Sequence, residues 1–316
     1  MSDASDDRYP HLARDFVGYG RYPPDPCWPG GARLAVNVVV NYEEGAEASF
    51  ADGDGETESG LTEGGSGSFE GRDLGAESMF EYGSRVGIWR ILRLLEERGM
   101  PATMFACAQA LERNPEVARA VRDANLDVCS HGRRWVRAQR LSEAQEAAEI
   151  KYAYESIAAS TGQGPQGWYS RYAPTVNTRR LLIEHGGFVY DSDAYNDELP
   201  YWTRLREQPH LVIPYSLATN DVKFSRGAMA TAADFYTFVH DSVDFLCREG
   251  TRHPKMLSIG LHCRLMGHPG RAAGLARLLE SLAEREDIWM CRRIDIARHW
   301  LSTHPYSAAP VHDGRR

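Results

Sequence analysis

The chain has 316 residues, of which 42% are hydrophobic and 10% aromatic, and its 44 acidic and 36 basic residues give a formal net charge of -8. This composition excludes an intrinsically disordered chain and predicts a globular protein with a substantial core. The negative charge argues against nucleic acid and anionic membrane surfaces as partners, and no apolar run approaches the roughly 20 residues of a membrane-spanning helix.

In chain order, residues 1–32 come first and carry five prolines, which favour an extended arm that wraps a surface and is compatible with contact to a neighbouring subunit. The arm begins with MSDASDDRYP, which is acidic and polar where a secretory signal needs a basic start and an apolar stretch, so we expect a cytoplasmic protein. The six cysteines contain no C-x-x-C pair, which predicts free and mostly buried thiols.

The β-branched run over residues 34–42 predicts a parallel strand that is covered on both faces. Residues 45–72 are rich in Gly, Ser, Asp and Glu, so we expect a flexible loop too polar to pack, which is disordered or acts as a lid. Further strands are predicted at 103–106, 126–129, 168–169, 188–190, 211–215, 256–261 and 288–290, with helical patterns between them.

Seven or eight β-α units without an internal linker predict an α/β protein with a single closed or nearly closed parallel barrel. A doubly wound open sheet is the alternative. In both architectures the reacting groups lie at the carboxyl ends of the strands. The polar residues at those ends are therefore the candidates for chemistry.

Five side chains at predicted strand ends carry the chemistry of amide hydrolysis. Glu43 and Glu44 follow the first strand, His131 and His262 follow later ones, and Arg171 lies in the turn after Trp168-Tyr169. Hydrolysis of an acyl bond requires a base that activates water, an acid for the leaving nitrogen and donors for the oxyanion.

Each candidate also has a structural explanation that needs no chemistry. The two acids are consistent with a solvated loop, and a lone histidine is more often a hydrogen-bonded structural residue than a catalyst. Arg171 is consistent with a surface charge. The segment 191–197, DSDAYND, is consistent with an ordinary turn, because Asp and Asn favour turns.

The order of these motifs resembles the polysaccharide deacetylase family over residues 33–301. The family's T-F-D-D-G is similar to Asn41-Tyr-Glu-Glu-Gly45, and its H-S/T-x-x-H is similar to His131-Gly-Arg-Arg-Trp135. The resemblance implies a deformed (β/α)7 barrel, here over residues 33–303, followed by a tail at 304–316. It also implies a site in which the second acid and both histidines bind zinc or a similar cation.

Trp135 stands where the family has its second histidine, and a tryptophan cannot ligate a metal. Glu44 and His131 alone leave two ligands where a catalytic zinc has three from the protein. We therefore expect no tightly bound metal and no other cofactor, with zinc as the alternative.

Longer strings resemble one branch of the family, the allantoinase and cyclic-imide hydrolase relatives that open cyclic amides without an obligatory metal. These strings include ESMFEYGSR at 77–85, DSDAYND at 191–197, TND at 219–221 and GLHCRL at 260–265. Two departures from the branch are Arg133 in place of a Trp and an extra residue between Arg171 and Asn177. The resemblance implies a homo-oligomer that hydrolyses a small molecule such as an allantoin-like ureide, a hydantoin or a cyclic imide.

We assign roles from this resemblance. Glu43 is the base, His262 is the acid, Arg171 holds the base in its charged form, and Glu44 and His131 pair with each other. The substrate-binding set is predicted to be Glu44, His131, Trp135, Trp168, Tyr169, Asn196, Asp197, Asn220 and Asp221. The alternatives are a metal-dependent N-deacetylase or deformylase and an inactive barrel that binds a small molecule.

Overall fold

The computed structural model describes residues 14–64, 68–205 and 207–307. The strands are β1 (Leu34–Tyr42), β2 (Glu56–Glu58), β3 (Ser68–Glu70), β4 (Ala102–Ala106), β5 (Asp127–Ser130), β6 (Gly167–Trp168), β7 (Tyr190–Asp191), β8 (Tyr201–Leu205), β9 (Gln208–Val212), β10 (Lys255–His262) and β11 (Ile288–Met290).

The helices lie between the strands, as the alternating sequence pattern predicts. They are α1 (Leu74–Tyr82), α2 (Ile88–Glu97), α3 (Ala108–Arg113), α4 (Pro115–Asp123), α5 (Glu143–Thr161), α6 (Thr178–His185), α7 (Val222–Ser225), α8 (Ala232–Glu249), α9 (Cys263–Met266), α10 (Pro269–Ala283) and α11 (Arg293–Thr303). None of the described helices is both long and apolar enough to cross a membrane.

The main sheet has the strand order β10-β1-β4-β5-β6-β7-β9-β8, and β11 also pairs with β1. Eight of its nine described strands, namely β10 through β9 in this order and β11, are mutually parallel, whereas β8 is antiparallel to β9. In the described residues β10 and β8 form the two edges, and an isolated bridge joins Asn220 to Gly260 of β10. The predicted deformed (β/α)7 barrel is therefore confirmed, as a barrel that is not closed by a continuous ladder.

The core lies on both faces of the sheet, and β1 contributes to both. Val36, Val38 and Val40 pack outward in one cluster with the helices, whereas Ala35 and Val39 belong to a second cluster inside the barrel. Because successive side chains of a strand point to opposite faces, a strand that is covered on both sides is apolar at nearly every position.

Asn37 interrupts this apolar run and is fully buried inside the barrel. Its amide nitrogen donates to the hydroxyl of Thr103 at 3.3 Å and to the carbonyl of Cys291 at 3.1 Å. A buried amide is tolerated when its hydrogen bonds are made within the protein.

The described part of the N-terminal arm packs on the barrel of the same chain. Trp28 is 2% exposed, contacts Trp289 and Trp300, and donates from its indole nitrogen to the carbonyl of Lys255 at 2.8 Å. Residues 1–13 of the predicted arm and 308–316 of the predicted tail lie outside the described residues.

The segment at 45–72 does not have the loose packing that its composition predicts. Ala46, Ala48, Thr57, Leu61 and Thr62 are all buried, and β2 and β3 form a short antiparallel pair. The prediction that this segment is too polar to pack is therefore wrong for residues 46–62, because its polar groups find partners on the barrel. Residues 65–67 lie outside the described part of the chain.

Gly87 lies between α1 and α2, where the chain passes the segment that follows β10. A Cβ atom at this position would lie 2.1 Å from the carbonyl oxygen of Cys263. Because backbone atoms must then move, we expect Gly87→Ala to lower the free energy of unfolding by about 1–3 kcal/mol in urea titrations. The control is Gly270→Ala in α10, where no atom lies within 4 Å of the added Cβ. Equal urea midpoints for the two variants would contradict the prediction.

Candidate active site

The carboxyl ends of neighbouring strands bring the predicted acids and histidines together. In the β1-β10 pair Asn41 lies opposite His262, so the residues that follow the two strands meet at one edge of the sheet. His131 directly follows β5, which is separated from β1 only by β4. Residues distant in sequence therefore form one buried cluster.

Glu43 is at the centre of this cluster and is 1% exposed. One carboxylate oxygen, Oε1, lies 3.2 Å from Nε2 of His131 and 3.6 Å from Nε2 of His262, and Oε2 accepts from Nη1 of Arg264 at 2.8 Å. Burial raises the pKa of Glu43, but the Arg264 guanidinium and the two imidazoles outweigh it and hold that pKa below its usual range. Glu43 is therefore a carboxylate at neutral pH.

Arg264 is a charged site residue that the sequence analysis missed. It is 2% exposed, its Nη1 also lies 3.4 Å from Oε1 of Glu44, and its Nε donates to the carbonyl of Leu61 at 2.9 Å. The guanidinium carbon lies 4.6 Å from the ring centroid of Phe80 and 4.9 Å from that of Trp135. The available signal was a basic residue two positions after His262, at the end of the strand that pairs with β1.

Glu44 does not pair with His131, so that prediction is wrong. Its Oε1 accepts from the backbone nitrogen of Arg264 at 3.1 Å, and its Oε2 accepts from the backbone nitrogen of Glu43 at 3.1 Å. Burial raises the pKa of Glu44, the nearby Glu43 carboxylate raises it further, and Arg264 opposes both effects. Glu44 thus anchors the segment that bears Arg264.

His131 pairs with Glu43 and with a backbone carbonyl. Its Nδ1 lies 2.7 Å from the carbonyl oxygen of Tyr169, and its Nε2 faces the Glu43 carboxylate. Both ring nitrogens of His131 therefore lie beside oxygen atoms.

His262 is held by Asp221. Nδ1 of the imidazole lies 2.7 Å from Oδ1 of Asp221, whose Oδ2 accepts from the backbone nitrogen of His262 at 2.8 Å. Burial lowers the pKa of His262, but the Glu43 and Asp221 carboxylates outweigh it and raise that pKa above its ordinary value. Nδ1 donates to Asp221, so in the protonated ring Nε2 also carries a proton.

Arg171 is not among the charges that chiefly set the pKa of Glu43, which are those of Arg264 and the two histidines, so the predicted role of holding the base in its charged form falls to Arg264. Its guanidinium pairs with the carboxylate of Glu58, donates from Nη1 to the carbonyl of Trp135 at 2.7 Å and lies 3.9 Å from the Trp135 ring centroid. The prediction failed because Glu58 belongs to the 45–72 segment, which was expected not to pack. Arg171 therefore attaches that segment to the barrel.

Two connected sets of residues line the space beside Glu43. A deep cavity of about 40 Å³ is lined by seven of the predicted residues, namely Glu43, His131, Trp135, Tyr169, Arg171, Asn220 and His262. An outer cavity of about 1090 Å³ shares His131 and Arg171 with it and adds Trp168. Glu44 and Asp221 contact lining residues without lining either cavity themselves.

Asn196 and Asp197 are not brought to this site. The carboxylate of Asp197 accepts from the backbone nitrogens of Glu198 and Leu199, and Oδ1 of Asn196 accepts from the hydroxyl of Tyr201 at 3.2 Å. Both residues line a separate cavity of about 600 Å³. Their prediction as substrate-binding residues at the Glu43 site is not supported, because they line this other cavity instead.

The donor set does not fit the zinc site that the resemblance implies. The Arg264 guanidinium already lies within hydrogen-bond distance of both Glu43 and Glu44, and Nε2 of His131 faces Glu43. A histidine must be unprotonated at the nitrogen that binds a metal, and Trp135 offers no ligand atom. Across the described residues, no group of three or more His, Cys, Asp or Glu side chains is arranged to hold a metal ion.

The chain is similar to several known proteins. The polysaccharide deacetylase family matches residues 75–188. A Schizosaccharomyces pombe protein whose name carries that family description is 39% identical over 317 residues, covering 93% of this chain and 99% of the relative. The solved structures of PuuE allantoinase and of a Pseudomonas aeruginosa PAO1 protein named for polysaccharide deacetylation are each 48% identical. Each has a TM-score of 0.89 and covers 93% of this chain and 99% of its own.

We predict that the ion pair between Glu58 and Arg171 holds residues 45–64 against the barrel. Glu58→Gln removes the negative partner of a buried guanidinium, so we expect a loss of about 3 kcal/mol in unfolding free energy. We also expect faster amide hydrogen exchange at residues 56–62. Glu63→Gln is the control, because Glu63 is exposed and pairs with Arg271 at the surface, where an ion pair contributes about 0–1 kcal/mol. Unchanged exchange in Glu58→Gln would show that Arg171 does not hold this segment.

Proposed function

The chain belongs to the polysaccharide deacetylase family, and we propose that this hydrolase opens the C-N bond of a small cyclic amide without a bound metal. The substrate class is an allantoin-like ureide, a hydantoin or a cyclic imide. The observation that carries the proposal is the position of Glu43 and His262, which line the same deep cavity with Oε1 and Nε2 3.6 Å apart.

The two side chains divide the proton transfers between them. Glu43, held as a carboxylate, takes a proton from water as the water oxygen attacks the carbonyl carbon. When the C-N bond of the tetrahedral intermediate breaks, Nε2 of protonated His262 donates its proton to the departing ring nitrogen. Environments that push the pKa values of neighbouring groups apart are typical of an acid and base pair.

The low pKa of Glu43 limits its strength as a base, since proton abstraction slows as basicity falls. The same charges keep it ionised across the neutral range. Polarisation of the substrate carbonyl must then come from fixed donors. Arg171 lines the deep cavity, and its Nε is buried with no acceptor among the described residues, so we assign it this role.

Sequence similarity supports the choice of substrate class. The PuuE allantoinase similarity covers 93% of this chain at 48% identity, and its name refers to a cyclic ureide as substrate. Arg133, a departure from the branch pattern, lines only the outer cavity, where it pairs with Glu149 at 2.9 Å. We therefore place the substrate ring near Glu43, and we expect Arg133 to contact substituents of the ring that extend into the outer cavity. We also propose that the protein is a cytoplasmic homo-oligomer.

Replacing Glu43 tests the base. We expect Glu43→Gln to lower kcat for ring opening by about 10²–10⁴-fold, the range that a positioned general base contributes. The measurement is a hydrolysis screen of allantoin, hydantoins, dihydropyrimidines, cyclic imides and acetylated amino sugars, each with and without chelator. Glu112→Gln is the surface control, and circular dichroism checks folding.

Retained turnover in Glu43→Gln would refute the base assignment. Activity lost with chelator and restored by zinc would favour the metal-dependent deacetylase or deformylase. Ligand binding without any product would favour an inactive binding barrel.

The acid assignment predicts a pH dependence. Because His262 must be protonated, kcat is highest below the pKa of its imidazole and falls as the pH rises through that value. Asp221→Asn removes one of the two carboxylates that raise this pKa. We expect the alkaline limb of the kcat profile to move to lower pH by about 1–3 units, as for the loss of one close opposite charge. An unmoved limb would exclude His262 as the acid.

A further inference from the structure

We infer that the Arg264 guanidinium is the resident cation of this site and occupies the electrostatic place of the metal that related sites bind. The donor set does not fit zinc, yet two adjacent buried carboxylates still need a positive charge beside them. Arg264 supplies it from within the chain. Arg264 is thus a positioning residue, because it acts through the carboxylates and lines neither cavity.

The contacts of Arg264 hold its guanidinium in a single position. A single nitrogen, Nη1, lies within hydrogen-bond distance of both Glu43 and Glu44, at 2.8 and 3.4 Å. Nε is fixed by the Leu61 carbonyl, and the planar group lies against Phe80 and Trp135. A planar guanidinium suits this setting because it combines directed hydrogen bonds with stacking on aromatic rings.

Trp135 and Arg264 act together in this arrangement. The indole ring lies against both Arg264 and Arg171, with centroid distances of 4.9 and 3.9 Å. A histidine at position 135 would offer a ligand nitrogen, but the guanidinium would still hold Glu44. We therefore expect that one substitution is not enough to create a metal site.

Zinc uptake tests the inference directly. Chelator-treated protein is dialysed against zinc chloride and then against buffer, and retained zinc is measured by atomic emission. We expect no stoichiometric zinc in the unsubstituted protein or in Trp135→His. Trp135→His combined with Arg264→Ser supplies Glu44, His131 and a second histidine, and should retain about one zinc per chain, as a three-ligand site does.

The matched control combines Trp135→His with Arg271→Ser. Arg271 also pairs with an acid, Glu63, and lies over an aromatic ring, Phe224, and among the described residues its ion pair is with Glu63 and not with Glu43 or Glu44. This control should retain no zinc. Stoichiometric zinc in the unsubstituted protein, or none in the folded Arg264 double variant, would overturn the inference.

A melting-temperature cycle keeps the inference testable if the zinc variant does not fold. Arg264→Met should lower the melting temperature, and Arg264→Lys, which keeps the charge, should recover part of the loss. The double variant Glu44→Gln with Arg264→Met should lower the melting temperature by less than the sum of the decreases in the two single variants. Removing both charges leaves fewer buried charges without a partner. Additive losses would indicate packing alone and contradict the inference. The inference rests on the proposed function only for the role of Glu43, and neither measurement requires a substrate.

Discussion

The structure of the site depends on the contact between the Arg264 guanidinium and the Glu43 and Glu44 carboxylates. The three side chains are at most 2% exposed, and an uncompensated charge at such a position costs several kcal/mol. The pairing of β1 with β10 brings these side chains together, since both acids and the arginine lie within two residues of the ends of strands in register at Asn41 and His262. The pairing of β1 with β10 thus contributes both to the sheet and to the neutralisation of the charges buried at its edge.

This contact contributes to pKa shifts in opposite directions at two neighbouring groups, lowering the pKa of Glu43 and raising that of His262. Arg264 stabilises the charged form of Glu43, and the Glu43 carboxylate in turn stabilises the charged form of His262, aided by Asp221. A base that is always ionised and an acid that is readily protonated then lie 3.6 Å apart. Their environments, more than their residue types, separate the two roles.

The 45–64 segment connects the site to its surroundings. Its Glu58 pairs with Arg171, its Leu61 carbonyl accepts from Arg264, and Asp54 pairs with Arg134 at 2.6 Å. Arginines of the barrel thus hold a segment whose composition is typical of a disordered loop. The acidic residues that made it look unstructured are the groups by which it binds.

The sequence by itself determined the positions of the parallel strands, the parallel barrel and the identity of Glu43, His131 and His262 as strand-end residues, whereas β2, β3 and β8 were not predicted. Continuous apolar runs and the polar residues that end them are local features, so they can be read without coordinates. Only the tertiary structure decided which charged side chains form ion pairs with each other. It pairs Arg171 with Glu58, Arg264 with Glu43 and Glu44, and leaves Asn196 and Asp197 at another cavity. Ion pairs between residues more than 100 positions apart depend on register and loop packing, and no local pattern of the sequence encodes them.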